Sequence, residues 1–98
     1  FVLPEPGEGP SREQQESGFF SLMQVGKLPD GTILRTRIAG DRDPGYGSTS
    51  KMLAESAVCL ARDELATGGG VWTPASAMGA PLLKRLRQNA GLTFEVAG

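Results

Sequence analysis

The feature that most constrains this chain is the break Leu28-Pro29-Asp30-Gly31 between two β-prone runs. Gly18 to Lys27 before it carries Phe19, Phe20, Leu22, Met23 and Val25. Thr32 to Ile38 after it alternates Leu34, Thr36 and Ile38 with Arg35 and Arg37. Proline presets one turn position and glycine supplies a positive φ, so the two runs are expected to fold back as an antiparallel hairpin. Leu34, Thr36 and Ile38 then share one face, and Arg35 and Arg37 the opposite, solvated one. A lone hairpin is marginal in water, which calls for more strands or for helices packed on it.

Past residue 47 the apolar period changes from two to about 3.6 residues. Thr49, Met52, Leu53, Ser56, Ala57 and Leu60 recur at spacings of three and four and predict a helix over 48–61 with these residues as its buried stripe. Ser48 or Thr49 is placed to cap its start, and Lys51 and Glu55 to form a weak surface pair. Residues 63–70 read as a loop, Val71-Trp72 as the end of a strand, and Trp72 as an anchor for a core or an interface. Thr73 at the cap and Pro74 at the first helical position open a second helix, with Leu82, Leu83 and Leu86 inward and Lys84, Arg85 and Arg87 solvated. Pro81 predicts a kink or restart near Gly79. Gly91 ends this helix, and Leu92, Phe94 and Val96 line one face of a closing strand.

The reading is an α+β fold: a β-hairpin plus a further strand in a mainly antiparallel sheet, covered on one face by two helices. Residues 18–98 form the single domain. Residues 1–17 are an irregular lead-in whose polar run is a solvated connector, with Ser11 placed to cap a short helical turn.

Bulk properties narrow the function. The 98 residues suffice for one domain, yet 14 Gly and 7 Pro beside 39% hydrophobic residues leave a modest core. Part of the apolar surface is therefore expected to be completed by another domain or subunit. A net charge of -1 argues against nucleic acid, whose phosphates need a basic excess. No run approaches the roughly 20 apolar residues of a membrane span. The opening Phe1-Val2-Leu3-Pro4 lacks a basic n-region, so no signal peptide is expected, and the start suggests an excised piece. One cysteine, Cys59, excludes an intrachain disulfide and fits a cytoplasmic setting. With no His in the chain, Ser-His-Asp, Cys-His and His-zinc schemes cannot be assembled here, and no metal site is expected. Cys59, among Ala57, Val58, Leu60 and Ala61, reads as an apolar filler and not as a nucleophile.

One segment has the residue types of a ligand site. Gly45-Tyr46-Gly47-Ser48-Thr49-Ser50 lies between strand and helix, where backbone amides and hydroxyls can cradle an anion. A dinucleotide fingerprint needs Gly or Ala where Ser50 stands and a parallel βαβ unit, and the upstream strand here belongs to a hairpin. The alternatives are a capped helix entered through a tight turn, or a helix start facing a ligand held by another domain. Asp43 and Tyr46 crowd the same turn and are candidates to orient a substrate or to assist proton transfer, against simple loop stabilisation.

Five blocks, taken in order, carry a resemblance: Pro-Glu-Pro-Gly-Glu-Gly-Pro at 4–10, Gly-Phe-Phe at 18–20, Asp-Pro-Gly-Tyr-Gly-Ser-Thr-Ser-Lys-Met-Leu-Ala-Glu at 43–55, Gly-Gly-Val-Trp-Thr-Pro-Ala-Ser-Ala-Met-Gly at 69–79 and Gly-Leu-Thr-Phe-Glu-Val at 91–96. Together they resemble the C-terminal end of saccharopine dehydrogenase-like oxidoreductases, nearest the branch of the trans-acting enoyl reductases. The resemblance implies a longer bacterial protein with an N-terminal Rossmann domain for NAD(P), a small-molecule substrate and a homodimeric assembly. It implies that this part lines the substrate cleft, joins dimer contacts, holds no cofactor and is inactive alone. Asp43, Tyr46, Gly47, Ser48, Thr49 and Lys51 would then face cofactor or substrate, with no catalytic residue assigned. Without an enzymatic partner, the same composition reads as a self-associating interaction module.

Overall fold

The hairpin turns at Pro29–Gly31, where the Gly31 amide donates to the Leu28 carbonyl (2.9 Å) and the Leu28 amide to the Thr32 carbonyl (2.8 Å). Gly31 takes φ 88°, the left-handed position that such a three-residue connection requires. Asp30 Oδ1 accepts the Thr32 amide at 2.8 Å and locks the turn from inside. The computed structural model, which describes residues 3 and 5–97, thus pairs strand β1 (Phe20–Lys27) antiparallel with β2 (Ile33–Gly40) in the register Phe20↔Gly40 to Lys27↔Ile33. The closing strand β3 (Leu92–Ala97) adds antiparallel to the other edge of β2, with Gly40 opposite Leu92 and Ile38 opposite Phe94. The sheet is three-stranded and antiparallel in the order β1-β2-β3 and, with the helices, makes an α+β fold.

Three helices complete the described chain. Helix α1 (Arg12–Ser17) is closed by a capping box between Ser11 and Gln14, as the position of Ser11 predicts. Helix α2 spans Gly47–Arg62 and α3 spans Pro74–Asn89. Thr73 caps α3 with Pro74 in its first turn, and Gly79 (φ 45°, ψ -125°) breaks it two residues before Pro81. The break is where the sequence predicts it, because Pro81 has no N–H to donate and its ring crowds the preceding turn.

The core is small: Cys59 from α2, Met78, Leu82 and Leu86 from α3, then Ala90 and Leu92, flanked by Phe20, Met52, Leu65, Ala77 and Phe94. It sits at one end of the sheet. The expected cover of a whole face is therefore confined to the Phe20–Gly40–Leu92 end, and the rest of the hairpin projects. Leu22, Met23, Val25 and Val96 are all more than half exposed. The accessible area of 7455 Å² exceeds by about 2,100 Å² that of a compact protein of this mass. The radius of gyration, 16.4 Å, compares with about 13 Å for a compact chain of this length.

Three expectations change. The buried side of α2 is Ser48, Met52, Ser56 and Cys59, whereas Thr49, Leu53, Ala57 and Leu60 face outward. The apolar pattern wraps most of this helix, so periodicity alone selects the wrong arc. Val71-Trp72 forms no strand, and Trp72 is half exposed, its indole N–H donating to the Gly68 carbonyl at 3.1 Å. Arg85 and Arg87 are engaged and not simply solvated: Arg87 donates to the Phe94 carbonyl at 2.9 Å and stands 5.7 Å from the Phe94 ring centre.

Phe20 lies on Gly40 across the β1–β2 pair, where any Cβ would strike its ring. Gly40→Ala is expected to destabilise the chain by about 1–3 kcal/mol in urea denaturation. Gly26→Ala, with only the Leu34 carbonyl at 4.0 Å, should stay within about 1 kcal/mol of the parent. Equal effects at the two sites would contradict this packing.

Candidate functional site

The junction between β2 and α2 is built around one carboxylate. Asp43 Oδ1 accepts the Gly45 and Tyr46 amides at 3.0 and 3.1 Å, and Oδ2 accepts the Gly47 amide at 2.6 Å. The Asp43 carbonyl then takes the Ser48 amide at 2.8 Å. A helix start leaves backbone N–H groups without partners and carries partial positive charge, so a carboxylate there is held electrostatically as well as by hydrogen bonds. The Gly47 bond first, then those from Tyr46 and Gly45, hold the Asp43 pKa below the ordinary carboxylate value. Because the folded-state pKa is lowered, this contribution is present above the usual carboxylate range and is lost as pH falls through the folded value.

The hydroxyls play a different part from the one the sequence suggests. Ser48, fully buried, donates to the Arg42 carbonyl at 3.1 Å, and Thr49 to the Pro44 carbonyl at 2.6 Å. Neither caps the helix, since α2 already begins at Gly47 and both residues lie inside its first turn, their hydroxyls spent on carbonyls upstream. An anion cradle for an external phosphate is consequently filled from within. The pyrophosphate of a dinucleotide would need these same amides, so this junction does not fit the pyrophosphate of NAD(P).

Sequence reasoning also misses a clasp. The Asp43 amide donates to the Gln15 carbonyl at 3.1 Å, and Arg42 Nη1 to the Glu16 carbonyl at 2.7 Å. The lead-in helix α1 therefore docks on the junction instead of running free as a solvated connector. Gly18 and Gly47 permit the approach: a Cβ on Gly18 would stand 2.8 Å from Asp43 Cβ, and one on Gly47 2.9 Å from the Gln15 carbonyl oxygen. These two glycines are the only sequence signal of the contact. Tyr46 is half exposed with its ring beside Gly9, and Lys51 lines a shallow open depression with Arg12, Gln15, Glu16, Arg42 and Gly47. Of the six candidates, Asp43, Gly47, Ser48 and Thr49 are tied into the junction, while Tyr46 and Lys51 lie on its surface.

A second charged group joins the helices. Arg85 grips Asp63 through two bonds, Nε–Oδ2 at 2.6 Å and Nη2–Oδ1 at 2.7 Å. It also meets Glu55 Oε2 at 3.5 Å, to which Asn89 donates at 3.2 Å, so Glu55 turns toward α3 and not toward Lys51. The paired geometry pulls the Asp63 pKa down to about 2 and raises that of Arg85, in each case chiefly through their mutual hydrogen bonds. The Asp63 contribution is thus retained through mild acid and lost as pH falls through about 2. Cys59 is fully buried and its thiol pKa is raised, first by desolvation, which suits the filler role. No cluster of potential metal ligands occurs among the described residues, and no helix there is long and apolar enough to cross a membrane.

Comparison with known proteins finds trans-acting enoyl reductases. A trans-acting enoyl reductase of Mycobacterium tuberculosis is 45% identical over 87 residues, covering 87% of this chain and 21% of that protein. A further Mycobacterium tuberculosis protein, provisionally named for the same activity, is 44% identical over 87 residues with the same coverage. The trans-acting enoyl reductase of Mycobacterium ulcerans is 40% identical over 89 residues, 89% of this chain and 21% of its own length. The chain spans about a fifth of the length of the curated relatives it matches. No protein-family model and no solved structure matches it.

Asp43→Ala is expected to lower the melting temperature at pH 7, with the gap to the parent closing as acid protonates Asp43 in the parent. Phosphate should leave the parent's melting temperature unchanged and raise that of the variant, whose helix amides are freed. Phosphate stabilisation of the parent, abolished in the variant, would show instead that the junction binds external anions.

Proposed function

We propose that this chain is the C-terminal part of a bacterial, NAD(P)-dependent, saccharopine dehydrogenase-like oxidoreductase of the trans-acting enoyl reductase branch. In this reading it lines a substrate cleft, joins a homodimer and has no activity alone. The observation that carries it is the 45% identity over 87 residues to a protein of that name, at a fifth of its length. The filled junction supports a non-catalytic role, because Asp43 spends both carboxylate oxygens on backbone amides. The nicotinamide cofactor belongs in this reading to a Rossmann domain elsewhere in the longer protein, in the cytoplasm. There, Tyr46 and Lys51 are the members of the junction free to face a small-molecule substrate.

A second reading, a self-associating module with no enzymatic partner, draws on the exposed apolar residues of the hairpin. One pair of measurements separates the two. Replacing the matching fifth of the Mycobacterium tuberculosis trans-acting enoyl reductase with this chain should retain reductase activity, while the 98-residue chain alone should not bind NADPH in a fluorescence titration. A folded but inactive chimera favours the second reading. Micromolar NADPH binding by the chain alone would contradict the assignment of the cofactor to another domain.

A further inference from the structure

Helix α2 is apolar on two sides. Its inward side, with Met52, Ser56 and Cys59, meets the core shared with α3. Its outward side presents Leu53, Ala54, Ala57, Val58, Leu60 and Ala61, all exposed and none charged, with Leu53 at 71% and Leu60 at 59%. At 3.6 residues per turn, Leu53, Ala57 and Leu60 fall within an arc of about 60°. The charges of the helix, Lys51, Glu55 and Arg62, collect on a separate strip. Outside that strip the helix offers a second apolar arc besides the one packed on the core, the pattern of a helix covered on two sides.

We propose that this outward face of α2 seats the remainder of the longer polypeptide, through an uncharged helix face. The proposal rests on reading the chain as one part of a longer reductase and adds where the parts meet. Three arguments select the remainder over a second copy. The relatives carry nearly four-fifths of their length outside the matched region. The lead-in passes Tyr46 at Gly9, about 10 Å along the axis from Leu53, so a segment joined to it stays within tether reach of this face. A covalent tether gives the neighbouring segment a millimolar effective concentration that a separate copy lacks. Ala54, Ala57 and Ala61 beside Leu53 and Leu60 allow a partner helix to approach to about 8 Å between axes.

The test is thiol labelling of Ala57→Cys, read by peptide mass at residue 57, because native Cys59 is buried. It is measured in the 98-residue chain and in the chimera with the Mycobacterium tuberculosis reductase. Reaction with a maleimide should be fast in the chain alone and slowed about tenfold or more in the chimera. Leu53→Glu with Leu60→Glu should leave the melting of the chain unchanged and restore fast labelling in the chimera. Equal, fast labelling in both proteins overturns the proposal. Protection in the chain alone that disappears on dilution also overturns it, and assigns the face to a second copy. Labelling reads docking independently of turnover, so a protected chimera without reductase activity counts against the functional reading and not against this one.

Discussion

The carboxylate of Asp43 holds the amides of Gly45, Tyr46 and Gly47, and the rest of the fold is arranged around that contact. It ends β2, starts α2 and, through the Asp43 amide and the Gln15 carbonyl, receives the lead-in helix. A helix start needs partners for its free N–H groups, and taking one from Asp43, four residues before Gly47, turns the strand directly into the helix. Gly18 and Gly47 are the steric condition, since a side chain at either would meet Asp43 or the Gln15 carbonyl. The same economy removes the junction from ligand chemistry. An amide that already faces an internal carboxylate offers an external phosphate only a competition with it.

What this rigid junction supports is an open architecture. The core of Cys59, Met78, Leu82, Leu86, Ala90 and Leu92 closes one end of the sheet, and the Arg85–Asp63 pair fastens α3 to the end of α2. Beyond that end the hairpin and the outer side of α2 stand in solvent with their apolar residues uncovered. Such surface is costly for a free protein and ordinary for a part of a larger one. The match to about a fifth of longer reductases agrees with that view.

Elements with a single local cause were legible in the sequence. Pro29-Asp30-Gly31 fixes the hairpin, Thr73-Pro74 the start of α3, Gly79 with Pro81 its break and Gly91 its end, because each depends on the backbone of a few adjacent residues. The inward face of α2 was not legible. Its sequence is apolar on both sides, and only the position of α3 decides which side is covered. Loop stabilisation by Asp43 was one of the two roles legible beside Pro44, but the place where α2 starts was not, because Ser48 and Thr49 also suit a cap and the helix opens ahead of both at Gly47. The ion pair of Asp63 with Arg85 spans two helices, and no local pattern encodes a contact of that kind.

Amide hydrogen exchange on the chain without any ligand tests the central claim, that the helix start is closed by the chain itself. The Gly47 and Ser48 amides should be strongly protected, at the level of the α2 interior, while the exposed 68–71 loop exchanges rapidly. Unprotected amides at Gly47 and Ser48 in a folded chain would contradict it, and would return the junction to the list of open anion sites.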